Sequence, residues 1–269
     1  MAIPWLDSNG GFVIKLIDDQ PTIFHRGNSM KLKAFVLSTL CAAGLFACYS
    51  SLAQNYNPAI NFPKGELNTL SDQEKADGWK LLFNGKDFEG WDRDEGRYAG
   101  EWTIENGVII SQKGTTHLFS QKKYKNLDLS WDVCAYDVAT PKIRYGNSGV
   151  FVRGIKSGQA FPRGYEVQVD PYDVKNPTGG VYGHNPGTLL VDENGNWKPA
   201  AFKEVHEGKW IHQRVRVEND HIEVWVNGEK TMDWVDPQKS FMEAGYIALQ
   251  NHHPTDVVLF TNIKIKEMD

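Results

Sequence analysis

Apolar and polar residues alternate by twos along much of this chain. Leu127-Asp128-Leu129-Ser130-Trp131-Asp132-Val133 is one clean run, and Ile211-His212-Gln213-Arg214-Val215-Arg216-Val217 is another. A period of two places apolar side chains on one face and polar ones on the other, as in a half-buried strand. Shorter strands are expected at 79–83, 102–104, 108–110, 221–226, 229–231, 245–250 and 257–265. Asn84-Gly85, Asn106-Gly107 and Asn227-Gly228 punctuate them. Tight hairpin turns select such pairs because their central residues need positive φ. Numerous short strands with these turns predict an all-β, antiparallel two-sheet jelly-roll sandwich over residues 77–267. One short helix is expected near 71–77, where Ser71 can cap and Glu74 sits three residues on.

The first quarter of the chain reads differently. Lys31 and Lys33 precede an apolar stretch at 34–47, too short to span a bilayer comfortably but suited to an export signal over 30–53. Leu45-Phe46-Ala47-Cys48 resembles a lipoprotein box, which would leave a lipidated Cys48 and attach the protein to a membrane. Ser51-Leu52-Ala53 resembles an ordinary cleavage site and suits better, because Phe46 is bulky for the first. Residues 1–29 carry no targeting logic, so Met30 is the expected start and 1–29 an upstream extension. Residues 54–76 read as a linker, rich in Asn and Pro, that ends in the short helix. The expected location is exported, periplasmic or associated with the outer membrane.

Composition narrows the partners. The net charge of -5, with no concentrated basic patch, argues against nucleic acid. Nine tryptophans suit either a large sandwich core or platforms for sugar rings, and Trp91, Trp102, Trp197 and Trp225 are candidate platforms. Three cysteines offer no disulfide framework, and Cys134 in an apolar stretch reads as a buried structural thiol.

Four stretches carry candidate chemistry. In 164–170, alternation turns Tyr165, Val167 and Val169 to the core and aligns Glu166, Gln168 and Asp170 on the other face. In 144–154, Asn147 precedes a Ser-Gly pair, and Arg153 is expected to project opposite Val150 and Val152. At 249–254, Gln250 ends a strand and His252 and His253 enter a loop, where working residues are common. A Gly-rich loop at 179–187 carries Tyr182 and His184 but lacks the strand–loop–helix context of a phosphate loop. No nucleophile elbow or zinc-binding spacing is present. A divalent metal on Asp170 or Glu166 is the one cofactor in view.

The order of motifs resembles a known family. Leu81-Leu82-Phe83-Asn84-Gly85-Lys86-Asp87 with Gly90-Trp91, then 102–109, 146–154, 164–170, Tyr182-Gly183, 224–228 and 245–252 follow, in sequence, the bacterial 3-keto-disaccharide hydrolase family. The resemblance implies a concanavalin-like jelly roll with a saccharide site on its concave sheet. It also implies cleavage of glycosides whose glucosyl C3 is already a ketone.

Such a ketone acidifies the C2 proton, so a base can remove it and the aglycone can leave C1 by β-elimination before water adds back. Chemistry and strand parity make Glu166 the expected base, with His252 next and His184 a candidate acid. Arg153, Gln168, Asp170, Gln250, Asn147 and Tyr182 are the expected substrate-binding residues. A pair of catalytic carboxylates at Glu166 and Asp170 is disfavoured, because two pleat repeats set them roughly 13 Å apart. A non-catalytic, lectin-like module remains the rival reading, since the fold suits it equally.

Overall fold

The computed structural model describes residues 2–6, 12–16, 62–93, 100–137, 146–156, 163–170, 177–182 and 209–269. The chain divides into two compact units, 1–52 and 53–269. Of the first, the structure describes one antiparallel hairpin, β1 (Ala2–Leu6) with β2 (Phe12–Leu16). The expected signal segment, Cys48 and the Gly-rich loop beyond Tyr182, with His184, lie outside the described residues, as does Trp197.

The second unit is a two-sheet antiparallel sandwich. It opens with helix α1 (Asp72–Ala76), where Ser71 Oγ accepts from Glu74 N–H and the Glu74 carboxylate accepts from Ser71 N–H, a reciprocal capping box. The strands are β3 (Lys80–Leu81), β4 (Trp91–Arg93), β5 (Glu101–Glu105), β6 (Val108–Gln112), β7 (His117–Tyr124), β8 (Asn126–Asp137), β9 (Ser148–Ile155) and β10 (Arg163–Val169). They continue as β11 (Val181–Tyr182), β12 (Ile211–Glu218), β13 (His221–Val226), β14 (Glu229–Val235), β15 (Gly245–Gln250) and β16 (Asp256–Met268). One sheet runs β11-β10-β9-β15-β7-β4. The other runs β14-β13-β12-β8-β16-β6-β5, with β3 paired to β16. The strand expected at 79–83 is thus only two residues long. On either side, Trp79 N–H donates to Glu74 O of α1, and Leu82 and Phe83 N–H both donate to Ile263 O of β16.

Between the sheets lies a continuous apolar core. Leu127, Leu129, Trp131 and Val133 of β8 meet Val150 and Val152 of β9, Tyr165, Val167 and Val169 of β10, and Ile247 and Leu249 of β15. Each is nearly or fully removed from water, and burying a side chain of this size contributes about 1.5–3 kcal/mol. The other face of the eight-stranded sheet is half covered. Cys134, Tyr136, Val108, Ile110, Val257 and Leu259 form a second cluster there, beneath Phe62, Leu67 and Trp210. The Cys134 thiol is buried in this cluster, outside the central core. Residues 62–70, which composition reads as linker, are therefore seated on the sheet. The Asn68 amide donates to Gly107 O, and its own backbone N–H donates to Asn262 Oδ1 at 2.7 Å.

Candidate active site

The outer face of the six-stranded sheet carries the candidate residues of β10 and β15. Three core-facing residues of β10, Tyr165, Val167 and Val169, are fully buried, so Glu166 and Gln168 point the other way, as alternation requires. Neither is solvated in the manner of an ordinary sheet surface: Glu166 is 6 % exposed and Gln168 3 %. On β9, the residue opposite Gln168 is Gly149. A β-carbon at position 149 would sit against Glu166 Oε1 and within 2.7 Å of its Cγ. The glycine is thus the bed over which the Glu166 side chain lies, and it places the carboxyl toward β15. There the Gln250 side-chain amide hydrogen-bonds it.

Burial dominates the chemistry of this carboxyl. Removal from water pushes the Glu166 pKa up to about 8, and the bond from Gln250 only partly opposes the rise. Glu166 therefore carries a proton at neutral pH. The Gln250 carbonyl oxygen is buried and has no hydrogen-bond partner among the described residues. An unpaired buried acceptor is costly, and a ligand hydroxyl would satisfy it.

Further along the same face, Asn147 Nδ2 donates to Asp170 Oδ2 at 2.8 Å. His252 lies near this pair. Burial and the neighbouring His253 hold its pKa below the ordinary value, while the Asp170 charge raises it. His252 is the member of the histidine pair that joins the site. His253 is exposed, its Nδ1 bonded to Thr255 Oγ1 at 2.8 Å. Tyr182 of β11 pairs directly with Glu166 and stands on the same face as an exposed rim residue. His252 follows the end of β15, the strand whose last residue, Gln250, bonds the Glu166 carboxyl.

One expectation is corrected. Arg153 does not reach the site. The pairing of β9 with β10 slips between Arg163 and Tyr165, and Arg153 takes a left-handed φ of 52°. This bulge reverses the alternation and turns the guanidinium inward. There it donates to Lys125 O, Asn219 O and Phe241 O at 2.6, 2.6 and 2.8 Å, and to Asn126 Oδ1 at 3.1 Å. It is 1 % exposed and is a structural staple. The residues expected to hold a metal, Asp170 and Glu166, fall in no group of three such ligands among the described residues. Among the described residues, His221, Glu223 and Asp233 are the one set of three His, Cys, Asp or Glu ligand atoms within 4.8 Å of one another. That trio lies on the eight-stranded sheet and already holds Lys230, whose Nζ is 2.5 Å from Glu223 and 2.9 Å from Asp233. Of the candidate platforms, Trp91 and Trp102 are buried. Trp225 lies on the eight-stranded sheet, 4.9 Å from the Arg214 guanidinium.

Two residues of the site escape the sequence reading. Gly149 had a signal, a Ser-Gly pair opening an apolar strand, but its use as a bed for Glu166 depends on cross-strand register. His117 opens β7 opposite Gln250, buried and with its pKa lowered to about 4 by desolvation. It sits in a run, Thr115-Thr116-His117-Leu118, without clear alternation.

A groove of about 460 Å³ also opens on the far side of the eight-stranded sheet, between Trp79, Asp132, His212, Arg214, Asn262 and Lys264. Its charged groups are satisfied internally: His212 with Asp132 at 2.7 Å, Asn262 with Asp132 at 2.7 Å, and Lys264 with Glu74 at 2.7 Å.

Comparison with known proteins agrees with this architecture. The chain is similar to a 3-keto-disaccharide hydrolase of Bacteroides thetaiotaomicron, 23% identical over 270 residues that cover 82% of this chain and 88% of the relative. Two crystal structures of candidate glycosyl hydrolases from Parabacteroides distasonis share the fold. One superposes with a TM-score of 0.54 at 24% identity, covering 76% of this chain and all of the other. The second gives 0.51 at 24% identity, covering 71% and 99%. Residues 78–266 match the model of the 3-keto-alpha-glucoside-1,2-lyase-like domain, and the chain belongs to that family.

Proposed function

We propose that this protein cleaves 3-keto-glycosides by eliminating the aglycone across C1 and C2 and then adding water. The observation that carries the reading is a carboxylic acid held protonated by burial on the outer sheet face, bonded by Gln250 at the end of the strand that leads into the uncharged His252 near Asp170. Family membership and the glycosidase-like fold support a carbohydrate-active hydrolase; the keto substrate and the elimination route are the further step.

In this reading the two groups take roles set by their protonation. His252, uncharged, accepts the C2 proton, and the electron pair moves onto the C3 ketone oxygen as an enediolate. The enediolate collapses to a C1–C2 double bond, the C1–O bond breaks, and Glu166 gives its proton to the departing oxygen. Water then adds. Its proton returns to Glu166, its hydroxyl bonds to C1, and the histidinium reprotonates C2, so the net change is hydrolysis. Asp170 stabilises the histidinium through space. Gln168, Gln250, Asn147 and Tyr182 line the same face and bind sugar hydroxyls. In this reading the base is His252 and not the expected Glu166, because a carboxyl that holds its proton to about pH 8 is an acid at neutral pH. A purely binding module gains nothing from a buried protonated acid. Export through residues 30–53 belongs to the same proposal, and N-terminal sequencing of the mature protein tests it.

The test of the reaction is incubation with a 3-keto-glucoside in deuterated water. Aglycone release with deuterium at C2 of the product is the expected result. Equal cleavage of the unoxidised glucoside, or binding of the keto sugar with no release, defeats the reading.

A further inference from the structure

Trp79 stands apart from the packing of the sandwich. It is half-buried and belongs to none of the three buried apolar clusters. The end of α1 fixes its place. Gly78 takes a left-handed φ of 86°, Gly78 N–H donates to Lys75 O at 3.2 Å, and Trp79 N–H donates to Glu74 O at 2.9 Å. These two bonds make a Schellman stop, which closes the helix and turns the chain. The residue after such a stop often packs back on the third-from-last residue of the helix. Here that residue is Glu74, whose carboxylate is spent on Ser71 N–H and Lys264 Nζ. The indole instead lines the groove of about 460 Å³ on the outer face of the eight-stranded sheet.

The floor of that groove is polar and held in place by its own bonds. Asp132 Oδ1 is 2.7 Å from His212 Nδ1, and Asp132 Oδ2 accepts from Asn262 Nδ2 at 2.7 Å. The half-exposed His212 ring keeps Nε2 on its other side. Arg214 donates to Asp128 through Nε and Nη2, which leaves Nη1. Its guanidinium carbon lies 5.9 Å from the Trp79 ring and 4.9 Å from the Trp225 ring. Lys264 is paired with Glu74. The charges of the floor thus compensate one another, so a charged ligand gains a partner only by breaking an existing pair. A neutral ligand rich in hydroxyls keeps every pair and uses the donors left over, and each carboxylate oxygen has room for a second bond. An indole beside fixed, planar polar groups suits a sugar, which has an apolar C–H face and a polar rim.

We propose that this groove is a second saccharide-binding site. It takes a neutral oligosaccharide, with one ring against the Trp79 indole and hydroxyls on Asp132, His212 and Arg214. Its volume falls within the range of small-molecule sites, roughly 300–1,000 Å³. Glu166 lies on the other sheet, so occupation of the groove leaves the candidate active site free.

The experiment is calorimetric titration of the whole chain with maltohexaose, cellohexaose and laminarihexaose. It compares wild type with Trp79→Ala, Trp79→Phe, His212→Ala and Glu166→Gln, with a melting curve for each. At least one of the three sugars is expected to bind wild type. Its affinity should fall about 10-fold or more in Trp79→Ala, less in Trp79→Phe, and measurably in His212→Ala, and stay within about 2-fold in Glu166→Gln. Binding of none of the three sugars overturns the proposal. So does wild-type affinity in Trp79→Ala, and with it a loss confined to Glu166→Gln, which puts the sugar on the other sheet. If Trp79→Ala melts early, His212→Ala decides: weaker binding at the wild-type melting temperature supports the site, and full affinity overturns it.

Discussion

Two buried groups on one face pull protonation in opposite directions, and stability should record both. Glu166, raised from 4.5 to about 8, holds a proton in the folded chain that the unfolded chain has lost. Its contribution is complete below about pH 4.5 and disappears as pH rises through 8. His117, lowered from 6.5 to about 4, refuses a proton that the unfolded chain would take. Its contribution is complete above pH 6.5 and disappears as pH falls through 4. Between 4.5 and 6.5 the two slopes cancel; from 6.5 to 8 only the Glu166 slope remains, about -1.4 kcal/mol per pH unit. Denaturant unfolding at intervals from pH 5 to 8 should show a plateau and then a decline. Glu166→Gln should remove the decline while abolishing turnover. A wild-type stability that rises from pH 6.5 to 8 contradicts the burial of a neutral acid.

At the level of strands, register does what residue type cannot. Gly149 matters because β9 is paired with β10 so that position 149 lies under the Glu166 side chain. Gly149→Ala should leave the β9 and β10 ladders intact and expel the carboxyl from its bed. The expected outcome is a loss of turnover of about 10-fold or more with a cost of only about 1–3 kcal/mol in stability, as for an overpacked site. Steady-state kinetics beside chemical denaturation measures both, and unchanged kinetics would show that Glu166 does not act from this position. The bulge at Arg153 is the opposite case: one extra residue in β9 sends a side chain that alternation assigns to the active face into the interior.

Across the whole molecule, that inward arginine links the sheets. From β9 of the six-stranded sheet it binds the turn after β7, the turn after β12 and the segment before β15. Tyr165 adds a second link, its hydroxyl donating to Asp236 Oδ2 at 2.7 Å, which holds Asp236 down to about 2. Arg153→Met removes the donors of three carbonyls and should cost about 3–5 kcal/mol, a fall in melting temperature of roughly 10 °C for a domain of this size. The folded fraction should keep the wild-type KM, because among the described residues the guanidinium bonds only to Lys125, Asn126, Asn219 and Phe241, away from the active face. Loss of substrate binding at wild-type stability would return Arg153 to the site.

What the chain determines by itself is periodicity. Alternation in β8, β12 and β13 and the Asn-Gly turns dictate antiparallel sheets, and the parity of 165–169 assigns Glu166 and Gln168 to one face and their neighbours to the core. Those properties are local, so they are legible residue by residue. The tertiary structure decided the rest. In β9 and β15 both faces are buried, which erases the alternation that would mark Phe151 or Ala248 as residues of the active face. Cross-strand register brought Gly149 beneath Glu166 and His117 beside Gln250, and a single bulge withdrew Arg153. Burial then raised the pKa of Glu166 to about 8. Each of these depends on partners distant in sequence, because desolvation and register exist only once the strands have met.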